Sequence, residues 1–139
     1  GDGFVYLPKE KILATGDAIL NGPYNFTGDG NIGNWPSVAK AALKLDIAIV
    51  LPGHGGPSDK SLLAGQGRFM EELRGAVEKA RKQGKKLEDL VTMKDGNPVA
   101  TSVKLSDSVK TWTGKNLAAQ VRDAWLELEH GKPRGDLKR

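Results

Sequence analysis

Apolar positions divide the first half of the chain into short strands and one helix. Residues 4–15 contain two apolar runs separated by a polar turn, which predicts a β-hairpin. Apolar side chains then share one face of residues 35–45, where Asn34 can cap a helix and Pro36 lies in the first turn. The unbroken apolar run 47–51 predicts a strand that is buried on both faces of a sheet. Strand, helix and buried strand in this order are typical of a layered α/β unit.

The second half has the spacing of amphipathic helices. Apolar residues recur every three or four positions in residues 69–80 and again in residues 117–128, and a short helix suits residues 87–91. Residues 94–104 predict a loop or a poor strand, and the charged last eight residues predict a frayed end. The apolar stripes of the two long helices are most simply explained as core.

The amino-acid composition excludes several classes of function. The 139 residues are 38% apolar and 27% charged, which is normal for a globular domain. No apolar run approaches the roughly 18 residues of a membrane-spanning helix, so we expect no membrane insertion. The absence of cysteine excludes a thiolate nucleophile and a Cys-based zinc site, and it leaves a cytoplasmic or a periplasmic location open.

The net charge of +4 raises the question of nucleic-acid binding. Residues 1–67 carry five basic against six acidic side chains, whereas residues 68–139 carry sixteen against eleven. The basic residues of the second half are scattered among acids, and no aromatic residues interleave with them to stack bases. We therefore expect no nucleic-acid partner.

Two chemically versatile side chains follow two of the predicted strands. Asp17 follows the strand 12–15 and His54 follows the strand 47–51, in both cases directly after a glycine. Side chains just past the carboxyl ends of neighbouring strands converge on one edge of an α/β sheet, where ligands usually bind. A carboxylate and an imidazole are ligands that hydrolytic zinc prefers. The alternative is that Asp17 caps a turn and His54 bonds locally, and spacing alone leaves both interpretations open.

Three segments within residues 1–80 carry a likeness to a known family: Ile-Leu-Ala-Thr-Gly-Asp at 12–17, Asn-Trp-Pro at 34–36 and Ile-Val-Leu-Pro-Gly-His-Gly at 49–55. Together they resemble the second half of metallo-β-lactamase-fold hydrolases. The resemblance implies an α/β fold, the C-terminal part of an αββα sandwich in which helices flank a mixed sheet. It also implies that Asp17 is the carboxylate that bridges two zinc ions, and that His54 is the last histidine ligand of the second ion.

The resemblance also implies that part of the metal site lies outside this sequence. The family's first half supplies an H-x-H-x-D-H motif and a further histidine, whereas this sequence has His54 and His130 alone. His130 falls near the end of a predicted helix and is expected at the surface. We expect residues 1–92 to form the C-terminal half of such a domain, and residues 93–139 a terminal loop and helix that pack on it. The sequence is then expected to be the C-terminal portion of a longer hydrolase, a processed fragment or one partner of a split protein.

The expected function is metal-assisted hydrolysis of a small carbonyl or ester-type substrate, with Tyr24, Asn31 and Trp35 at the substrate rim. Asn25 and Phe26 are further candidates for that rim. The chain alone offers two protein ligands where catalytic zinc needs three, so we expect weak zinc binding and no hydrolysis until the missing N-terminal half completes the site. The alternative function is a non-catalytic interaction module whose exposed sheet pairs with a partner chain or with a second copy of itself.

Overall fold

The fold is α/β, as expected, with a three-stranded sheet, a separate hairpin and four α-helices within the described residues. The computed structural model describes residues 2–138. The strands are β1 (Val5–Leu7), β2 (Ile12–Ala14), β3 (Ile49–Leu51), β4 (Val91–Lys94) and β5 (Asn97–Thr101). The helices are α1 (Trp35–Ala42), α2 (Ser61–Lys82), α3 (Leu87–Leu90) and α4 (Leu117–His130).

The main sheet is mixed. Strands β1 and β2 form the predicted antiparallel hairpin, and β3 adds to the other side of β2 in parallel. The register places Ala14 opposite Leu51, so the two parallel strands end at the same level. Because a parallel connection needs a crossover, α1 lies between β2 and β3 in the chain. This order confirms the strand, helix and strand unit predicted from the pattern.

The two faces of this sheet differ in burial. Leu13 and Val50 point to the inner face, are fully buried and belong to the same core cluster as the apolar residues of α2. The outer face is apolar but uncovered within the described residues, and its six members form two rows across the strands: Val5, Ala14 and Leu51, then Leu7, Ile12 and Ile49. Val5 is 62% exposed and Ile49 is 42% exposed. The expectation that residues 47–51 are buried on both faces was therefore wrong, because helices cover one face only.

Helix α2 organises the core. It packs against α1 on one side and α4 on the other, and its buried apolar residues include Phe69, Met70, Leu73 and Val77. Helix α4 contributes Val121 and Ala124 to the same cluster. The periodic apolar stripes of both helices are therefore core, as predicted.

For residues 94–104, where the sequence predicted a loop or a poor strand, the structure has the end of strand β4 and the whole of strand β5. They form an antiparallel hairpin that packs against α4. The turn residues Asp95 and Gly96 have φ angles of 50° and 76°, the left-handed conformation that a two-residue hairpin turn requires. An Asp-Gly pair between short apolar segments is a strong hairpin signal, and the prediction from apolar spacing did not use it.

The C-terminal end also differs from expectation. Residues Arg134–Lys138 form a short 3-10 helix that contacts α4, so the frayed end predicted for the last eight residues was wrong over this described part. None of the helices formed by residues 2–138 combines the length and the apolar character that a membrane crossing requires. The division of the chain after residue 92 stays a prediction.

The asymmetry of the sheet predicts different costs for the same substitution on its two faces. Leu13→Ala removes a fully buried side chain and should lower the free energy of unfolding by about 2–5 kcal/mol. Leu7→Ala, on the outer face at 44% exposure, should cost less than about 1 kcal/mol. Urea unfolding of the two variants checks this, and equal losses would contradict the assignment of the faces.

Candidate functional site

Asp17 lies directly beyond the end of β2. The backbone turns sharply at Gly16, whose φ is 51°, and Asp17 sits in the short 3-10 helix Gly16–Ala18. Thr15 continues the parallel pairing, since its backbone N–H donates to the carbonyl of Leu51 at 3.1 Å. The carboxylate is therefore carried by a rigid extension of the sheet and is well exposed.

His54 lies at the corresponding point beyond β3, three residues past Leu51, just as Asp17 is three residues past Ala14. Backbone hydrogen bonds fasten its loop to the segment that follows β2. The N–H of Gly53 donates to Gly16 at 2.9 Å, and the N–H of Asn21 donates to the carbonyl of His54 at 2.9 Å.

The two candidate ligands meet. The Nε2 atom of His54 lies 3.5 Å from Oδ1 of Asp17, and both side chains are more than half exposed. An oxygen and a nitrogen each bound at 2.0–2.1 Å to one tetrahedral zinc ion lie about 3.4 Å apart. The observed separation therefore fits two ligands of a single ion. The structure thus brings together the pair named from the sequence, and its role as a ligand pair stays a prediction.

Gly53 makes this approach possible. A Cβ atom at Gly53 would overlap the Asp17 carboxylate and would lie 2.7 Å from the carbonyl of Gly16. Any larger residue would push the two loops apart. The glycine before His54 is therefore required by the close approach of the two strand ends.

An open cleft of about 810 Å³ begins at Asp17. Its walls include the exposed aromatic rings of Tyr24 and Phe26 together with Trp35. Within residues 2–138, every charged side chain that lines the cleft is a carboxylate, and these are Asp2, Asp17, Asp29 and Asp136. Such a lining attracts cations, metal ions among them.

The rim residues named from the sequence take different places. Tyr24, Asn31 and Trp35 all line the cleft, and the Tyr24 ring lies 5.7 Å from the His54 ring, centroid to centroid. Phe26 also lines it. Asn25 is 1% exposed and points into the protein, so the expectation that it lies at the rim was wrong. Whether the others contact a substrate stays a prediction.

Helix α4 holds the loop that lines the cleft, residues 24–34. The buried carboxylate of Glu127 accepts hydrogen bonds from the backbone N–H groups of Ile32 at 2.6 Å and Gly33 at 2.8 Å. One turn earlier, Asp123 accepts a hydrogen bond from the Thr27 hydroxyl at 2.8 Å. Loop backbone buried without such partners would be costly, so these carboxylates fix the loop conformation.

Amides and indoles fasten the rest of the loop. Gln120 of α4 donates from its side-chain amide to the carbonyl of Asn25 at 2.9 Å, and Gln66 of α2 donates to the Asn25 side chain at 2.5 Å. The indole of Trp35 donates to Ala18 at 2.6 Å, which joins the loop to the Asp17 segment. The cleft wall is therefore tied to both long helices.

Sequence reasoning missed these supporting residues, although a signal was present. Gln120, Asp123 and Glu127 recur at helical spacing beside the apolar residues of α4. Polar side chains that share the buried part of a helix need partners, and they point to a segment whose backbone they satisfy. The prediction for this helix rested on its apolar residues alone, so it assigned no role to these polar ones.

The described residues hold two donors and no third. Within residues 2–138, no group of three or more His, Asp or Glu side chains is arranged to hold a metal ion. His130 lies at the last residue of α4, is 42% exposed and is 3.3 Å from Glu129, as expected for a surface residue. The pair Asp17 and His54 is thus at most part of a zinc site.

The role of Glu127 gives a testable difference within one helix. Glu127→Gln removes the charge that holds two loop N–H groups, so the free energy of unfolding should fall by about 1–3 kcal/mol. The backbone amides of Ile32 and Gly33 should exchange faster with solvent. Glu129→Gln, at an exposed position of the same helix, should change neither quantity. Identical urea and hydrogen-exchange profiles for the two variants would contradict this account of the loop.

Comparison with known proteins adds structural neighbours. No family model and no curated protein match the chain. The DIM-1 metallo-β-lactamase is 34% identical over 49% of this chain and 34% of its own, with a TM-score of 0.45. TMB-1 is 31% identical over 51% of this chain and 38% of its own, also at 0.45. A TM-score this low does not establish a shared fold.

The fold assignment rests on a different neighbour. The stereoselective inverting sec-alkylsulfatase Pisa1 from Pseudomonas sp. matches 98% of this chain with a TM-score of 0.68, at 17% identity. The chain spans 23% of that enzyme's length, and about a third of the length of the lactamases above. Identity at this level shows the fold alone, and the sec-alkylsulfatase has the metallo-β-lactamase fold. Residues 2–138 therefore have the α/β architecture of part of a metallo-β-lactamase fold.

Proposed function

We propose that the chain carries part of the active site of a zinc-dependent hydrolase, and that Asp17 and His54 are metal ligands. The observation that carries the proposal is the 3.5 Å separation of a carboxylate oxygen and an imidazole nitrogen at the ends of two parallel strands. Asp17 lines a cleft whose charged lining is acidic, and the Tyr24 ring beside His54 lines the same cleft. In a metallo-hydrolase fold, a carboxylate and an imidazole placed in this way can serve as metal ligands.

Each residue has a stated role in the proposal. Asp17 would hold zinc through its carboxylate, which can serve one ion or two. His54 would hold zinc through its imidazole, whose rotation the neighbouring Tyr24 ring limits. Bound zinc supplies Lewis acidity that lowers the pKa of water toward about 7. Tyr24, Asn31 and Trp35 contact a small carbonyl or ester-type substrate along the cleft.

The proposal requires ligands from outside the described residues. A catalytic zinc has three protein ligands and a two-zinc site has more, whereas this pair provides two. The outer face of the sheet ends at Ala14 and Leu51, each three residues before a ligand. A polypeptide that packs on this face therefore reaches the metal site, and we propose that an N-terminal half-domain occupies it and completes the ligand set.

A zinc titration of the isolated chain tests the ligand assignment. Zinc should bind weakly, at no more than one ion per chain, and should shift the imidazole NMR signals of His54 while leaving those of His130 unchanged. His54→Ala should abolish binding, and His130→Ala, which alters an exposed histidine at the end of α4, should leave it intact. Saturation at two ions per chain, or equal losses in the two variants, would sink the assignment.

Glycine substitutions test the same pair without removing a ligand. Gly53→Ala places a methyl group against the Asp17 carboxylate and should weaken zinc binding by separating the two loops. Gly56→Ala serves as the control, because a Cβ at that position meets no atom within 4 Å. Unchanged affinity in the Gly53 variant would argue that the two donors do not share an ion.

A second candidate function, a non-catalytic interaction module, is favoured by the apolar outer face. Six apolar side chains, four exposed and two half-buried, lie in two rows on this face, a larger apolar surface than scattered single residues present. Pairing of this face with another sheet needs no metal. Replacing both Asp17 and His54 by Ala discriminates the two functions, because a module keeps its partner while a hydrolase loses activity once its site is complete.

Charge on the outer face should prevent its pairing. Val5→Lys places an ammonium group within any interface formed there, so association with a sheet-bearing partner or with a second copy should weaken by at least about tenfold. Val99→Lys provides a matched control, because Val99 is 54% exposed on β5, away from this face. Analytical ultracentrifugation measures both variants, and equal behaviour would show that the outer face is not the pairing surface.

A further inference from the structure

We propose that residues 132–138, the C-terminal strap, are part of the candidate site, and that Arg134 is a positioning residue for the cleft. The strap holds the loop at residues 26–29 and itself forms one wall of the cleft. The inference rests on the proposed function only in treating this cleft as the substrate side. The contacts that fasten the strap are independent of any metal.

Asp123 joins the strap and the loop through one buried carboxylate. Its side chain is 4% exposed. One oxygen accepts the hydrogen bond from the Thr27 hydroxyl at 2.8 Å, and the other accepts a hydrogen bond from Nε of Arg134 at 2.6 Å. Arg122 approaches the second oxygen at 3.4 Å. Because a buried carboxylate is stable only when its partners are in place, the loop and the strap depend on the same group.

A backbone hydrogen bond and close packing also hold the strap against the loop. The N–H of Gly135 donates to the carbonyl of Gly28 at 2.7 Å. Gly28 has no side chain, and the Arg134 guanidinium fills the space that a Cβ would need. The guanidinium carbon also lies 5.9 Å from the centre of the Phe26 ring, within the range of a cation–π contact.

The strap reaches the cleft itself. Gly135 and Asp136 line it, and Gly135 packs directly against the Asp29 side chain. Phe26 and Asp29, on the loop that Arg134 holds, line the cleft as well. A shift of the strap therefore moves four lining residues together, so the strap sets the shape of this part of the cleft.

Hydrogen exchange of the metal-free chain tests this role. In Arg134→Ala, the amide of Gly135, which bonds to Gly28, and the amide of Gly30, which bonds to Thr27, should exchange about tenfold faster or more. The amide of Gly53, which bonds to Gly16 beside the metal pair, should keep its rate. Arg68→Ala, at an exposed arginine of α2, should leave all three amides unchanged. Arg134→Lys keeps a cation beside Asp123 and should restore part of the protection.

Gly28→Ala gives a second perturbation that retains every charge. Its methyl group overlaps the Arg134 guanidinium and crowds the Phe26 ring, so it should displace the strap and accelerate the same two amides. The proposal is overturned if neither Arg134→Ala nor Gly28→Ala accelerates Gly135 and Gly30. It is also overturned if Gly53 accelerates equally, because the effect would then be global unfolding. No metal is added, so failure here leaves the zinc proposal untouched, and failure of zinc binding leaves the strap untouched.

Discussion

The parallel pairing of β2 and β3 is the constraint on which the candidate site depends. Its register sets Ala14 opposite Leu51, and each of these residues precedes one candidate ligand by three positions. If the two loops that follow these strand ends were flexible, their side chains would be close together only part of the time. Here Gly53 packs against the Asp17 carboxylate, and backbone hydrogen bonds link the two loops, so the donors are held 3.5 Å apart. The geometry is thus a property of the sheet and of the two loops that extend it.

The cleft depends on a second kind of interaction, in which buried polar side chains satisfy the backbone and side chains of a loop. Asp123 and Glu127 of α4 carry carboxylates that the protein nearly removes from water, a costly placement that their hydrogen bonds to the loop and the strap offset. Helix α4 therefore does two things at once. Its apolar residues close the core against α2, and its polar residues define the wall of the cleft that Asp17 lines. This explains how a loop rich in glycine and asparagine keeps one shape.

Much of the fold and the proximity of Asp17 and His54 could be predicted from the sequence, because short-range patterns decide them. The spacing of apolar residues predicts the hairpin at residues 4–15, helix α1 and the apolar stripes of the long helices. Asp17 and His54 each follow a predicted strand directly after a glycine. Burial of residues 47–51 was misjudged because an apolar run does not say whether both faces are covered. The roles of Asp123 and Glu127 could not be predicted, because their loop partners lie about 95 residues away in the sequence. Arg134 is only eleven residues from Asp123, but it lies in the segment that was expected to be frayed. Long-range polar pairing leaves a weak trace in a single sequence.

The central claim is that Asp17 and His54 are the contribution of this chain to a zinc site completed by further polypeptide. Native mass spectrometry of the protein as purified from its source, compared with its denatured mass, tests this most directly. The account predicts a species heavier than 14.9 kDa that contains additional polypeptide and zinc, with the zinc lost on denaturation. A metal-free species of 14.9 kDa, single or paired only with itself, would contradict the account.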